Sequence, residues 1–68
     1  MPRAPIRSPE WLAQALLSKP VTQGRVRRLL WHAAKGTEAN FRQMLTLIPD
    51  AAVRAQVEAA SKPVQFRG

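Results

Sequence analysis

The sequence predicts an all-α fold, a small bundle of three to four short helices. Apolar residues recur at helical spacing in several segments, and a Ser, Thr or Asp that can cap a helix precedes each segment. The length of 68 residues allows one domain with a modest core. We therefore divide the chain into a basic flexible arm over 1–7, a helical domain over 8–62 and a C-terminal tail over 63–68.

The first helix is expected over residues 9–18. Ser8 is its predicted N-cap, because a serine hydroxyl can accept a hydrogen bond from an N–H group that the first turn leaves unpaired. Pro9 follows at the first helical position, which needs no N–H donor, and Pro20 closes the segment by restricting the residue before it. Trp11 is expected in the core, since a domain with few large side chains has reason to bury its largest.

The second helix, within the segment 21–36, carries the clearest period and the densest positive charge. Thr22 is its predicted N-cap, and Gly36 is expected to end it in the left-handed conformation that glycine adopts easily. Helical spacing separates an apolar stripe from a basic one. The apolar stripe is Val26, Leu29, Leu30 and Ala33, the basic stripe is Arg25, Arg28, His32 and Lys35, and the flank between them is Arg27 and Trp31.

A third helix is expected from the cap Thr37 to about Leu47, and a fourth over 51–61 from the cap Asp50. The fourth has only a thin apolar stripe, so its stability should depend on packing or on a second copy of the chain. Phe66, in the tail, could fold back onto the core. The predicted core consists of Leu12, Leu16, Val26, Leu29, Leu30, Phe41, Met44, Leu45 and Val53.

Positive charge is concentrated in the first half of the chain. The formal net charge is +7, and residues 1–36 hold seven basic side chains and one acidic side chain, against four and three in residues 37–68. Such an asymmetry favours a polyanionic partner, whether nucleic acid, an acidic membrane surface or an acidic protein surface. The same charge also serves solubility without any partner.

The start of the second helix carries a recognisable pattern. Residues 21–29 read VTQGRVRRL and follow Leu12 and Ala13 of the first helix. This arrangement resembles the helix-turn-helix of bacterial and phage DNA-binding regulators, whose second helix often begins with a valine and a capping Ser or Thr. A further valine and then a leucine or valine three residues later complete that pattern. The matching residues are Val21, Thr22, Val26 and Leu29, while the turn formed by residues 18–20 lacks the glycine usual in the family.

The resemblance implies that Gln23, Gly24, Arg25 and Arg28 lie at or near a DNA groove, with Thr22 near the backbone. We therefore expect a small basic DNA-binding protein, a transcriptional or mobile-element regulator that places the helix 22–35 on the phosphate backbone and in the major groove. A homodimer would present two such helices to a pseudo-palindromic site. The expected nucleic-acid-binding residues are Thr22, Gln23, Arg25, Arg27, Arg28 and Lys35, with Arg3 and Arg7 from the arm.

A protein-binding module is the main alternative. Arginine and tryptophan are favoured interface anchors, so Arg27 and Trp31 would dock on an acidic surface of a host protein. A small phage-type inhibitor or adaptor, such as an anti-CRISPR protein, an anti-restriction protein or a polymerase regulator, belongs to this class. RNA binding ranks below DNA binding because few aromatic residues are left to stack on bases. Membrane-surface binding ranks lower, since the apolar stripe of the second helix is more simply the core of a bundle.

Enzymatic and metal chemistry is not expected. The chain has one histidine, no cysteine and four acidic residues that suit caps and solvated helix positions. We therefore expect no catalytic residue, no metal site and no cofactor. No apolar run is long enough to span a bilayer and no signal-peptide pattern is present, so we expect a cytoplasmic protein of a bacterium or a phage-infected host. The arginine-rich residues 1–36 also resemble a transit peptide in composition, which the capped helices disfavour.

Overall fold

Four short α-helices make up residues 4–67, the part of the chain that the computed structural model describes. This part contains no β-strand, so the predicted all-α bundle is confirmed. The helices are α1 (Pro9–Leu17), α2 (Gln23–Ala33), α3 (Glu38–Leu45) and α4 (Ala51–Ala60).

Each helix begins at the N-cap that the sequence predicts. The side-chain oxygens of these caps accept hydrogen bonds of 2.8–3.3 Å from backbone N–H groups of the following turn, which have no partner inside the helix. The helices end one or two residues earlier than expected, because the last residues form tighter turns. The four caps are Ser8, Thr22, Thr37 and Asp50.

The prediction that Gly36 ends α2 in a left-handed conformation is wrong. The C-cap of α2 is Ala34, with right-handed φ and ψ of −65° and −18°, and φ of Gly36 lies outside the left-handed range. Two tight turns close this end instead: Lys35 N donates to His32 O at 3.2 Å, and Gly36 N donates to Ala33 O at 3.0 Å. The C-terminal tail also contributes to this end of α2, because the N–H of Arg67 donates to both Ala34 O and Gly36 O.

The core lies where α1, α2 and α3 pack together, and α4 packs on α2. Eight of the nine predicted core residues are buried, and Val53 is half-buried. Trp11 was expected in the core, but it is half-buried and packs against the core from outside, with its ring beside His32. Four further residues complete the core, namely Ala13, Ala33, Ile48 and Val57.

The segments before α1 and after α4 both meet α3. Before α1, Asn40 Nδ2 donates to the carbonyl oxygen of Arg7 at 3.0 Å, and Arg7 has a positive φ of 67°. After α4, the rings of Phe66 and Phe41 pack with their centroids 5.1 Å apart, so the tail folds back onto the core. Arg3, predicted to bind nucleic acid from the arm, lies outside the described residues.

Candidate nucleic-acid interface on helix α2

One side of α2 is buried and the other forms a basic, partly aromatic surface. The predicted apolar stripe of α2 is confirmed, because all four of its residues are buried. On the opposite side the exposed residues continue into the tight turn that follows the helix. We call this exposed surface the basic face; it consists of Gln23, Gly24, Arg27, Arg28, Trp31 and Lys35.

Trp31 lies at the centre of the basic face. Residues four positions apart are neighbours on a helix, so Arg27 precedes it by one turn and Lys35 follows it by four residues. The Lys35 ammonium lies 4.1 Å from the centroid of the Trp31 ring, within the range of a cation–π contact. The side of α2 that faces solvent therefore carries a row of cation, indole and cation.

The cations of the basic face have no carboxylate partner within residues 4–67. The ion pairs in this part of the chain join Arg42 to Glu38 at 3.6 Å and to Glu58 at 3.7 Å, between α3 and α4. Asp50 is occupied as the cap of α4. Because no ion pair within residues 4–67 involves Arg27, Arg28 or Lys35, their charges remain available to an anion from solvent.

Arg25 closes the turn between α1 and α2. Its guanidinium donates to Lys19 O at 2.6 Å, to Pro20 O at 2.9 Å and to Ala15 O at 2.5 Å. Carbonyl oxygens at a helix end lack partners inside the helix, and α1 has no basic residue in its own last turn. The sequence predicts Arg25 at a DNA groove, whereas the structure places its donors on the main chain of the turn.

At the start of α2, one residue caps the helix and the next two are exposed to solvent. Thr22, predicted near the DNA backbone, uses its hydroxyl to accept the N–H of Arg25 at 3.2 Å. Gln23 is exposed at the first helical position. Gly24 is also exposed, and an added Cβ there would meet nothing within 4 Å. The start of α2 is thus open to a ligand, with Gln23 presenting its amide beside the cap.

His32 lies between two indole rings. Its ring meets Trp11 and Trp31 edge to face, with centroid distances of 5.4 Å and 5.0 Å. Burial lowers the pKa of His32 below its usual 6.5, and the positive charges of Arg7, Arg28 and Lys35 lower it further. Within residues 4–67 its buried Nδ1 has no hydrogen-bond partner. With its pKa below 6.5, the imidazole is mostly neutral at pH 7 and adds little charge to the basic face.

Trp31 lines two surface pockets. A shallow pocket of about 580 Å³ is lined by Gly24, Arg27, Arg28, Trp31 and His32. A larger groove of about 850 Å³ runs between α2 and α4, and Arg27 and Trp31 line it as well. The floor of this groove is apolar, and the amides of Gln23 and Gln56 also line the groove. Sequence reasoning missed Gln56, because only the packing of α4 against α2 brings it near Gln23.

Comparison with family models, with curated proteins and with solved structures finds no match for this chain. The helix-turn-helix resemblance therefore stays a prediction. Among the side chains of residues 4–67, no three His, Asp or Glu residues come together in a way that could hold a metal ion. None of the helices in that range is long and apolar enough to cross a membrane.

Proposed function

We propose that the protein binds DNA through the basic face of α2 and acts as a transcriptional or mobile-element regulator in the cytoplasm of a bacterium or a phage-infected host. The observation that carries this proposal is the set of exposed cations at Arg27, Arg28 and Lys35, which have no carboxylate partner within residues 4–67. Cations of this kind bind phosphates and release the counterions condensed on DNA. The role is binding and not catalysis.

The packing of α1 and α2 supports a helix-turn-helix-like arrangement. The two helices are in contact, the turn between them is held by Arg25, and the outward side of the second helix is exposed. In that arrangement Arg27 and Arg28 meet phosphates, and the amide of Gln23 reaches a base edge. Arg25 acts as a positioning residue, because its donors are engaged by carbonyl oxygens of the turn.

The test is the affinity of a fluorescently labelled random duplex of about 25 base pairs, measured by anisotropy at low and near-physiological salt. The Arg27→Gln/Arg28→Gln double variant should bind roughly tenfold or more weakly at low salt, because two phosphate contacts are lost. The matched control is Arg42→Gln/Lys62→Gln, which removes the same charge from exposed positions outside α2 and should bind nearly as tightly as the wild type.

Two results would overturn this proposal. One is the absence of duplex and single-strand binding even at low salt. The other is an equal loss of affinity in the double variant and in its control, because that result would reduce binding to net charge alone.

A second candidate is a small phage-type inhibitor or adaptor that docks on an acidic surface of a host protein. The observation that favours it is the apolar groove between α2 and α4, which Arg27 and Trp31 border. These two residue types are enriched at interface hot spots. A photo-cross-linking side chain placed at Trp31 would distinguish the candidates in host extract, since it would join to a protein in one case and to DNA in the other.

A further inference from the structure

We propose that Trp31 is a stacking platform for an unpaired base, so that the basic face prefers single-stranded DNA to duplex DNA. This inference rests on the proposed DNA binding: the same site binds both forms of DNA, and the duplex is the weaker ligand. Three features of the site support it: the exposure of the indole, the order of charges around it, and the groove beside it.

The exposure of Trp31 is unusual for this fold. The residue is 58% exposed, whereas the other large apolar residues of α2 are buried. Among large apolar residues within the four helices, Trp31 is the most exposed. Tryptophan offers a large flat apolar surface, which gains most when another flat group covers it. The ammonium of Lys35 lies over one ring face, 4.1 Å from its centroid, so a base that stacks on that face takes the place of the ammonium.

The charges around Trp31 follow the order of groups in a nucleotide strand. Arg27 lies one turn before the indole, about 6 Å along the helix axis, and Lys35 follows the indole in the turn after α2, with its ammonium 4.1 Å from the ring centroid. In a DNA strand, a phosphate lies on each side of every internal nucleotide. A base stacked on Trp31 therefore has a cation near each neighbouring phosphate.

The groove between α2 and α4 provides room for the base. Its volume is about 850 Å³, its α4 wall includes Ala59 and Ala60, and Gln23 and Gln56 supply the amides. An unpaired base has two apolar faces and a polar edge that suits an amide donor and acceptor. In a duplex, neighbouring bases cover those faces and pairing occupies the edge. Only an unpaired base can therefore use both the indole and the groove.

A single-tryptophan variant makes the inference testable. Trp11→Phe leaves Trp31 as the only indole, so its fluorescence reports the platform alone. We expect a thymidine strand of about 12 nucleotides to quench this fluorescence strongly, and a duplex of the same length to leave it nearly unchanged. Trp31→Leu, in the wild-type background, should lower the affinity for the strand by roughly fivefold to a hundredfold, the loss of one stacked base. Circular dichroism checks that each variant is folded.

The outcomes separate this inference from the proposed function. If the protein binds duplex and single strand with equal affinity and Trp31 emission does not change, the stacking platform is overturned but DNA binding remains. Absence of binding to either form would overturn the proposed function itself. A uridine strand of RNA bound more tightly than the thymidine strand would overturn the assignment to DNA. Arg27→Gln/Arg28→Gln should weaken both forms of DNA, whereas Trp31→Leu should weaken the single strand selectively.

Discussion

At position 25 a single side chain holds the end of one helix against the start of the next. The guanidinium of Arg25 donates to carbonyl oxygens of Ala15, Lys19 and Pro20. Arginine suits this position because its planar group carries several donors in a fixed fork, whereas lysine has one compact ammonium. None of residues 18–20 has a positive φ, so the turn needs no glycine. The Arg25 side chain adds donors for carbonyl groups at the end of α1 and in the turn.

Arg25→Met should lower the free energy of unfolding by about 1–2 kcal/mol, because three partly exposed hydrogen bonds to a charged group are lost while the aliphatic stem is kept. Urea unfolding followed by circular dichroism measures this change. Arg25→Lys should recover less than half of the loss. A Met variant as stable as the wild type would mean that the contacts in the turn contribute nothing.

His32 should make the fold less stable in mildly acidic solution. Its pKa is lowered in the folded state, first by burial and then by Arg7, Arg28 and Lys35, so the unfolded chain binds a proton more readily. This contribution to stability is fully present above the usual pKa of 6.5 and is lost as the pH falls through the lower pKa of the folded state.

The check is the melting temperature between about pH 7.5 and pH 5, compared with that of His32→Gln. The wild type should lose more stability than the variant over this interval. Because His32 is the only histidine, its imidazole signals in an NMR titration give the folded-state pKa directly. A folded-state value at or above 6.5 would contradict the assignment.

At the scale of the helices, Gly24 is a position where stability and binding should respond in opposite directions. Glycine inside a helix costs roughly 0.5–1 kcal/mol relative to alanine, and a Cβ at Gly24 would meet nothing within 4 Å. Gly24→Ala should therefore stabilise the fold by about 0.5 kcal/mol, the lower end because the residue lies in the first turn. If DNA approaches α2 closely there, the same change should weaken DNA binding.

Thermal unfolding and duplex anisotropy on the same samples measure the two effects. Gly36→Ala is the matched control, since its Cβ would make ordinary contacts of 3.6 Å with Ala33 O and 3.8 Å with Asn40 Nδ2 at the opposite end of α2. The control should change DNA binding little. Destabilisation by Gly24→Ala would show that this part of α2 is not as open as the geometry indicates.

The helices could be predicted from sequence because their signals are local. Thr22 caps α2 through a residue three positions away, and the apolar stripe of the same helix follows from its spacing alone. Arg25 could not be assigned in this way, since its contact with Ala15 spans ten residues and requires the angle between two helices. The predicted left-handed conformation of Gly36 was wrong. Tight turns close that end of α2 together with a donor from Arg67, which is far along the chain.

The candidate site divides in the same manner. Exposure of Arg28 follows from its place opposite the apolar stripe, which helical spacing predicts, whereas Arg27 was expected on the flank and is exposed as well. The groove beside Trp31 could not be predicted from the sequence, because it exists only where α4 packs on α2 and brings Gln56 near Gln23. A feature formed between helices that are distant in sequence has no local pattern to reveal it.

At the scale of the whole molecule, α2 differs from the other helices because it carries several cations and no acidic residue. On α3 and α4 the carboxylates of Glu38 and Glu58 are paired with Arg42, whereas the cations of α2 have no such partner within residues 4–67. A field of this shape favours approach of a polyanion to α2. Because surface charges are screened by salt, the strength of that approach depends on ionic strength.

The salt dependence of duplex binding should therefore report the number of phosphates that the basic face contacts. Three contacts, from Arg27, Arg28 and Lys35, predict a slope of log affinity against log salt of roughly −2.7, since each phosphate contributes about −0.9. Arg27→Gln/Arg28→Gln should reduce the slope to about −0.9. Anisotropy titrations at several salt concentrations measure it. A slope near zero for the wild type would mean that phosphate contacts do not drive binding.

The thin anchoring of α4 has a consequence for motion. Val57 is the single fully buried residue of this helix, and Val53 and Ala60 are only half-covered. Segments with few buried apolar contacts open by local unfolding before the rest of a protein. The amides of α4 should accordingly exchange with deuterium sooner than those of α1 and α3. Since α4 forms one wall of the groove, a ligand bound in the groove would slow the exchange of the α4 amides. The groove would then exist only in the fraction of molecules in which α4 is folded.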